Sequence, residues 1–194
     1  MDVLTAVVTR RSRHALHEPA PSDAEFTELL KGAAAAPDHG KMRPWRWILV
    51  RGHERDTLGR HLAIGEPPEE QARTVQRMLR APLVAALVFC PTENHKVPEW
   101  EQLAAASSVA YGLMLLLHSR GYGSIWRTGR LCTSRSAHEL LGLTPAERLL
   151  GSLDIGTPDD LEPVNSRPVG NVTERVATFA SLPRTGRADA GRTS

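Results

Sequence analysis

Two stretches of this sequence decide how its fold is interpreted: Arg10-Arg11-Ser12, and Pro37-Asp38-His39-Gly40-Lys41-Met42-Arg43-Pro44-Trp45. The first joins two guanidinium groups to a hydroxyl, and guanidinium forks match phosphate oxygens through paired hydrogen bonds. The second places His39 and Lys41 between two prolines and leads into an apolar run at Trp45. Alone, the first is typical of a solvated helix end and the second of a packed strand entrance. Their order and spacing therefore carry the argument.

Length and composition indicate one ordinary globular domain. The chain has 194 residues, of which 41% are hydrophobic and 24% charged, so it is long enough to bury a full core. The formal net charge is only +2, so no overall field favours nucleic acid or a membrane surface as a partner. No stretch reaches the roughly 20 apolar residues of a membrane helix, and the N-terminus lacks the pattern of a secretory leader. We expect a cytoplasmic protein that binds neither nucleic acid nor membrane.

The cysteines and histidines give no sign of a metal centre. Cys90 and Cys132 lie far apart in the sequence and lack metal or redox spacing. His14 and His17 are three residues apart, but no acidic cluster accompanies them. The sequence also lacks the Gly-x-Gly-x-x-Gly, P-loop, His-Glu-x-x-His and Gly-x-Ser-x-Gly motifs. We therefore expect no metal, no Rossmann dinucleotide site and no catalytic triad.

The periodicity of apolar residues predicts helices and short strands in an α+β arrangement. Helices are predicted over Asp2–Thr9, from Ser22 to before Pro37, over Glu54–Ala63, Glu69–Leu79, Trp100–Ser119 and Ser134–Leu141, and briefly from Thr144. Strands are predicted over Trp45–Val50, Leu83–Phe89, Ser124–Thr128 and Leu149–Ile155. Ser22-Asp23-Ala24-Glu25 has the form of a capping box, and the unbroken apolar run Leu83–Phe89 is typical of a strand buried on both faces. We expect one domain over residues 1–182 and a disordered tail over residues 183–194.

Taken together and in order, several stretches resemble the flavin-dependent nitroreductase family. The resemblance rests on Arg10-Arg11-Ser12 after a first helix, then on Ala36-Pro37-Asp38-His39 and Arg43-Pro44-Trp45. Later segments agree with it, namely Glu93–Pro98, Trp100-Glu101-Gln102, Gly121–Gly129 and Gly156-Thr157-Pro158. The resemblance extends from about Val3 to Pro158, and the segments resemble in particular the short members that are named NAD(P)H nitroreductases.

The resemblance implies a nitroreductase-like α+β fold, with a small central mixed sheet enclosed by helices, in a homodimer. FMN would lie at the dimer interface, where both chains would contribute to each site. The resemblance assigns Arg10, Arg11 and Ser12 to the phosphate, ribityl chain and ring edge in one chain. It assigns His39 to the same flavin from the partner chain. Further FMN contacts are expected from Trp126, Arg127 and Thr128, with His14 and Lys41 as additional candidates.

Two positions depart from the family pattern. Many relatives carry a basic residue two positions after the serine, beside the flavin N1 and C2 carbonyl, and here that position is His14. The glutamine that is common before Pro-Trp is replaced by Arg43. Longer relatives have a basic C-terminal phosphate ligand. Arg167 and Arg175 are available for that role, but no motif selects either of them.

Several candidate residues have interpretations that need no ligand. Trp126 alone is as typical of a core aromatic as of a flavin contact, whereas an arginine in an apolar strand, such as Arg127, needs an anionic or polar partner. His95 and Lys96 are either surface charges or the rim of a substrate or nicotinamide entrance. Arg13 lies outside the matched triplet, so we expect it to contribute much less than Arg10 to the affinity for FMN.

The resemblance favours an FMN-dependent oxidoreductase that takes hydride from NADH or NADPH. It would reduce nitroaromatics, quinones or related acceptors by a ping-pong mechanism, and no catalytic residue is assigned because the flavin carries the chemistry. A same-fold enzyme of reductive dehalogenation or flavin fragmentation is an alternative, as is a non-catalytic flavin-binding redox sensor. A nucleic-acid binder has the least support. The apolar helix from Trp100 would form the core of the dimer.

Overall fold

The structure is a computed structural model that describes residues 1–94, 96–159 and 170–179. It divides the chain into two compact units, Met1–Val164 and Asn165–Ser194. The described residues of the second unit include one 3₁₀ turn, Thr173–Arg175. The expectations for His95, for Arg167 and for a tail over residues 183–194 lie outside the described residues. A single domain over residues 1–182 stays a prediction for the same reason.

Helices surround the sheet of the first unit, and their bounds follow the apolar periodicity closely. They are α1 (Val3–Thr9), α2 (Asp23–Ala33), α3 (Glu54–Leu62), α4 (Pro68–Met78), α5 (Glu99–Ser119), α6 (Arg130–Thr133) and α7 (Arg135–Leu140). The residue before each of the first two helices caps it with its side chain. The Thr5 N–H of α1 donates to Asp2 Oδ1 (3.0 Å), and the Glu25 N–H of α2 donates to Ser22 Oγ (3.2 Å). The predicted cap at Ser22 is therefore confirmed.

The sheet is built around one long strand. Its strands are β1 (Leu16–His17), β2 (Trp45–Arg51), β3 (Leu83–Phe89), β4 (Gly123–Arg127) and β5 (Arg148–Pro158). Strand β5 pairs with β3, β4 and β1, and β3 pairs with β2, each time in an antiparallel ladder. Among the described residues, the parallel component of the expected mixed sheet is confined to one bridge, between Ser12 and Ser124.

Strand β3 supplies apolar side chains to both faces of the sheet. Leu83 and Ala85 belong to a core with α2 and α5, whereas Val84, Ala86 and Val88 belong to a second core with α3 and α4. All seven residues of β3 are buried, as the unbroken apolar run predicted. Because successive side chains of a strand point to opposite faces, a strand between two cores must be apolar throughout.

The predicted helix at Thr144 is wrong, because the segment forms a turn. The backbone N–H of Glu147 donates to the Thr144 carbonyl (3.0 Å), and the Thr144 N–H donates to the Glu147 carboxylate (2.8 Å). Strand β5 begins at the next residue, Arg148, so this single turn has no room to continue as a helix. Helix α6 and strand β1 were not expected from the sequence; both are only two to four residues long.

Candidate functional site

Two cavities lie toward opposite ends of β4. The N-terminal cavity, of about 210 Å³, is lined by Met1, Arg10, Arg11, Arg13, His118, Gly121, Tyr122, Gly123, Ser124, Pro158 and Asp159. The strand-end cavity, of about 340 Å³, is lined by Leu62, Thr74, Arg77, Met78, Arg80, Trp126, Arg127, Thr128, Arg130, Leu131 and Ser152. Ser124 and Arg127 are three residues apart on β4, which corresponds to about 10 Å of strand. One strand thus connects two pockets that are rich in arginine.

The end of α1 and the start of β4 form the N-terminal cavity together. The Arg10 N–H donates to the Ala6 carbonyl (3.0 Å) and so ends α1. The chain then runs alongside the start of β4. The Arg13 N–H donates to the Ser124 carbonyl (3.2 Å), and the Arg13 side chain is buried. Arg13 therefore lies in the wall of the cavity with Arg10, although the sequence set it apart.

Of the other residues predicted to bind FMN near the end of α1, Arg11 lines the N-terminal cavity, whereas Ser12 and His14 do not. The Arg11 guanidinium donates to the carbonyls of Val8 (3.4 Å) and Arg10 (3.0 Å), so it also caps the end of α1. Ser12 and His14 are exposed, and neither lines the cavity. The Ser124 hydroxyl, by contrast, is buried in the cavity wall and has no hydrogen-bond partner within the described part of the chain. Sequence reasoning missed Ser124, whose only signal was its place in the matched segment.

The strand-end cavity gathers arginines that no motif indicated. Arg77 comes from α4, Arg80 from the loop after it, and Arg130 from α6, and they surround Arg127 of β4. Leu62, Met78 and Leu131 give the cavity its apolar wall. The Ser152 hydroxyl is buried in that wall and, like Ser124, has no hydrogen-bond partner within the described part of the chain. Both cavities thus contain guanidinium groups and one such serine.

The anionic partner of Arg127 lies within the same chain. Arg127 Nε donates to Asp154 Oδ2 (2.5 Å) across the β4–β5 ladder, and Asp154 is 1% exposed. Burial raises the pKa of Asp154, and the neighbouring Arg127 and Arg80 partly oppose that shift. Asp154 is therefore the negative partner that the sequence predicted for Arg127. Arg127 still lines the cavity, held in place by the carboxylate beneath it.

Trp126 and Thr128 line the same cavity with different degrees of exposure. The indole Nε1 of Trp126 donates to the Leu150 carbonyl (3.1 Å), and the ring packs against the core next to α2 and α5. Trp126 thus combines the two interpretations that the sequence left open, since it is a core aromatic that also borders a cavity. Thr128 is exposed at the mouth.

His39 and Lys41 lie far from the N-terminal cavity within one chain. They belong to a 3₁₀ turn, His39–Lys41, where His39 Nδ1 is 2.6 Å from Glu101 Oε2 at the start of α5. His118, in the wall of the N-terminal cavity, is 17 residues further along α5, or about 25 Å at 1.5 Å per residue. Both His39 and Lys41 are exposed. A contact of His39 with a ligand in that cavity therefore requires a second chain.

Two of the remaining candidates are exposed side chains, Lys96 of the first unit and Arg175 of the second. Lys96 is exposed, and its N–H donates to Asn94 Oδ1 (2.9 Å). Arg175 is exposed in the 3₁₀ turn of the second unit. In residues 1–94, 96–159 and 170–179, no group of three or more histidine, cysteine or acidic side chains could hold a metal ion. Helices in those same ranges are too short or too polar to cross a bilayer.

Comparison with known proteins agrees with this architecture. The model of the family described as "Nitroreductase family" matches residues 7–157. This chain belongs to the nitroreductase family. It is 34% identical over 163 residues to the Escherichia coli K12 protein named "Putative NAD(P)H nitroreductase YdjA", covering 81% of this chain and 89% of that one. A Haemophilus influenzae protein named an NAD(P)H nitroreductase in the same way is 31% identical over 166 residues, covering 81% of this chain and 89% of its own length.

Solved structures share the fold. The nitroreductase-like family protein from Bacillus cereus superposes with a TM-score of 0.79 at 26% identity, covering 92% of this chain and 96% of that chain. The FMN-dependent nitroreductase NfnB from Mycobacterium smegmatis, solved in complex with NADPH, has a TM-score of 0.71 at 19% identity, covering 90% of this chain and 96% of that one. The predicted nitroreductase-like α+β fold is thus confirmed.

Proposed function

We propose that this nitroreductase-family chain is an FMN-dependent oxidoreductase that uses NADH or NADPH to reduce nitroaromatics, quinones or related acceptors. The observation that carries the proposal is the pair of arginine-lined cavities connected by β4, each with a buried serine hydroxyl in its wall. An elongated ligand with a phosphate at one end and a planar polar ring at the other fits this distribution of donors. Relatives named NAD(P)H nitroreductases support the choice of electron donor.

The N-terminal cavity has the donor set for the phosphate of FMN. Arg10, Arg11 and Arg13 bring three guanidinium groups to a space of about 210 Å³, and Ser124 adds a hydroxyl. Guanidinium donors to phosphate make short, charge-assisted hydrogen bonds, which are stronger than neutral ones. Ser12, which is exposed in one chain, is proposed to contact the ribityl chain beside that phosphate, with His14 next to it.

The strand-end cavity suits the ring of FMN. When bound, FMN supplies the chemistry by accepting a hydride and passing electrons on to an acceptor. Leu62, Met78 and Leu131 would exclude water from the ring, and Trp126 and Thr128 would border it. The guanidinium groups at this end would stabilise negative charge that builds up on a bound ring, and a low local dielectric strengthens that effect. No further side chain is needed as a general acid in this proposal.

The proposed enzyme is a homodimer in which α1 and α5 form the interface. Large apolar side chains on these helices are exposed, including Leu4 at 71%, Trp100 at 68% and Tyr111 at 44%. Several large apolar side chains exposed on neighbouring helices are typical of protein–protein contacts. A two-fold axis perpendicular to α5 would pair the two helices antiparallel and carry His39, with Lys41, toward the flavin of the partner chain. The proposal places the dimer in the cytoplasm, where both nicotinamide cofactors are supplied.

The test is to identify the cofactor and then to reduce it. We expect the purified protein to be yellow, to release FMN on acid treatment, and to lose its flavin absorbance on addition of NADH or NADPH. Recovery of the absorbance with a nitroaromatic or a quinone would establish turnover. Release of FAD, or failure to bind FMN on reconstitution, would contradict the cofactor assignment. Bleaching without reoxidation by any acceptor would favour a flavin-binding redox sensor instead.

A further inference from the structure

His118 is a titratable residue in the wall of the N-terminal cavity that the proposed function does not use. It lies in the last turn of α5, half-buried, and it lines the cavity together with Arg10, Arg11 and Arg13. No motif of the sequence indicated it. Its placement depends on α1 packing against the end of α5, which brings residues 109 positions apart into contact.

A hydrogen bond to Thr9 decides which nitrogen of the His118 ring can titrate. The Thr9 hydroxyl donates its single hydrogen to the Thr5 carbonyl (2.6 Å). The contact of 2.8 Å between Thr9 Oγ1 and His118 Nε2 must then have Nε2–H as its donor. The ring therefore carries a proton on Nε2 in both of its charge states, and Nδ1 is the nitrogen that gains or loses a proton.

The charges around His118 are mostly positive. Arg10, Arg11 and Arg13 line the same cavity from the segment after α1, as does the N-terminal residue Met1. Tyr122 follows α5, and its hydroxyl donates to Glu25 (2.8 Å). Asp159, a carboxylate among the described lining residues, is 3.2 Å from His17. Burial, followed by Arg10 and Arg13, lowers the pKa of His118.

We propose that His118 becomes protonated when a phosphate dianion occupies the N-terminal cavity, so that it acts as a proton-coupled ligand of the FMN phosphate. The inference rests on the proposed function. In the ligand-free cavity the arginines oppose a further positive charge on the ring. Two negative charges on the phosphate offset that repulsion, and Nδ1 then gains a proton. Phosphate binding and proton uptake thus favour each other.

The direction of the pH dependence follows from this linkage. Because the bound form of His118 holds its proton to higher pH than the free form, the gain in affinity is complete at pH below the free pKa. The gain is lost as pH rises through the pKa of the bound form. The FMN phosphate has its own second pKa of about 6 and loses charge on acidification. That effect acts on every variant alike, so a comparison between variants removes it.

The experiment measures the Kd of FMN and of riboflavin, which lacks the phosphate, at pH 8.5 and pH 6 by flavin fluorescence. His118→Gln is the main variant, since its amide N–H can still donate to Thr9 but cannot be protonated. At pH 8.5 we expect the wild type and His118→Gln to bind FMN equally. At pH 6 the variant should bind about five- to tenfold more weakly. Calorimetry in buffers of different ionisation enthalpy should show proton uptake in the wild type only.

Two comparisons separate the proton-coupled role from a structural one. Thr9→Val removes the hydrogen bond to Nε2 but leaves the ring titratable, so its FMN affinity should keep the wild-type pH dependence. For riboflavin, the Kd of His118→Gln divided by the Kd of the wild type should be the same at both pH values. If the same ratio of variant to wild-type Kd, measured with FMN, did not change between pH 8.5 and pH 6, the inference would be overturned while the proposed function stayed intact. If the wild type bound no FMN at either pH, the proposed function itself would fail.

Discussion

At the scale of single residues, the strand-end cavity depends on contacts that hold its arginines in place. Arg127 is held by Asp154, a carboxylate that is almost completely buried. Arg130 likewise donates to the carbonyls of Leu62 and Ile64 (both 3.0 Å), and it pairs with Glu66 (2.9 Å). Such contacts fix guanidinium groups at the edge of a cavity before any ligand arrives, which reduces the entropy lost on binding.

Arg10→Ala should weaken FMN binding without unfolding the chain. Removal of a charge-assisted hydrogen bond to a partly buried phosphate costs on the order of 1.5–3 kcal/mol, so the Kd of FMN should rise roughly ten- to a hundredfold. Arg120 is the matched control, because it is exposed at the end of α5 and does not line the cavity. Equal losses from Arg10→Ala and Arg120→Ala would indicate a diffuse basic patch. Arg13 is unsuitable as a control, since its buried side chain lines the cavity.

The cysteines should be unreactive in the native protein. Burial and the Glu147 carboxylate, whose Oε1 is 3.3 Å from Cys90 Sγ, raise the pKa of this thiol to about 11. Burial also raises the pKa of Cys132. Alkylation of Cys90 by iodoacetamide at pH 7.5 should be slower in the native than in the unfolded chain by roughly a hundredfold, because only the thiolate reacts. Peptide mass spectrometry distinguishes the two sites, and equal rates before and after unfolding would contradict the prediction.

At the scale of elements, the turn before β5 is held by a side chain of β2. Arg46 binds both carboxylate oxygens of Glu147, through Nε (2.6 Å) and through a terminal nitrogen (3.0 Å). The same carboxylate accepts from the Thr144 N–H, so one acidic group closes the turn and connects it to β2. Hydrogen bonding from Arg46 lowers the pKa of Glu147 to about 2.

Glu147→Gln should therefore destabilise the fold at neutral pH. Loss of a partly buried, bidentate ion pair costs about 1–2 kcal/mol of the free energy of unfolding, measured by urea denaturation. Because the folded pKa lies below the ordinary value of 4.5, this stabilisation is complete above pH 4.5 and is lost as pH falls toward 2. The difference between wild type and variant should shrink over that range. Glu139→Gln, which breaks a solvent-exposed pair with Arg135, is the control. It should leave the free energy of unfolding unchanged both at neutral pH and below pH 4.5.

At the scale of the whole molecule, the first unit leaves an apolar surface on α1 and α5 without a covering element in the described part of the chain. Val3, Leu4, Trp100, Leu103 and Tyr111 are all exposed there. The same long helix separates His39, at its start, from the N-terminal cavity at its end. A second copy packed antiparallel on α5 would cover this apolar surface. The same contact would bring its His39 toward the N-terminal cavity of the first.

Sedimentation at low micromolar concentration should give about twice the chain mass of 21.2 kDa. Tyr111→Glu places a charge on the exposed face of α5 and should shift the protein toward monomer, with loss of FMN in parallel. Leu140→Glu is the matched control: it changes an apolar residue of α7 that is 41% exposed, close to the 44% of Tyr111, and that lines neither cavity, so it should leave the dimer and the flavin intact. A wild-type monomer that retains FMN would argue against a shared site.

The sequence by itself determined the features that neighbouring residues encode. The capping box at Ser22, the doubly buried strand Leu83–Phe89 and the long helix from Glu99 all follow from local propensity and apolar period. The order of short motifs was enough to indicate the family. These signals are readable because each depends on residues within a few positions of one another.

Only the tertiary structure decided which charges meet. Asp154 became the partner of Arg127, 27 residues away, through the register of β4 against β5. Glu147 formed a turn rather than a helix because Arg46, 101 residues away, binds its carboxylate and β5 begins at the next residue. Arg13, Ser124 and His118 joined Arg10 in one cavity, while His39 stayed about 25 Å away along α5. Long-range pairing of this kind depends on strand register and on packing between helices, and residues nearby in the sequence do not specify either.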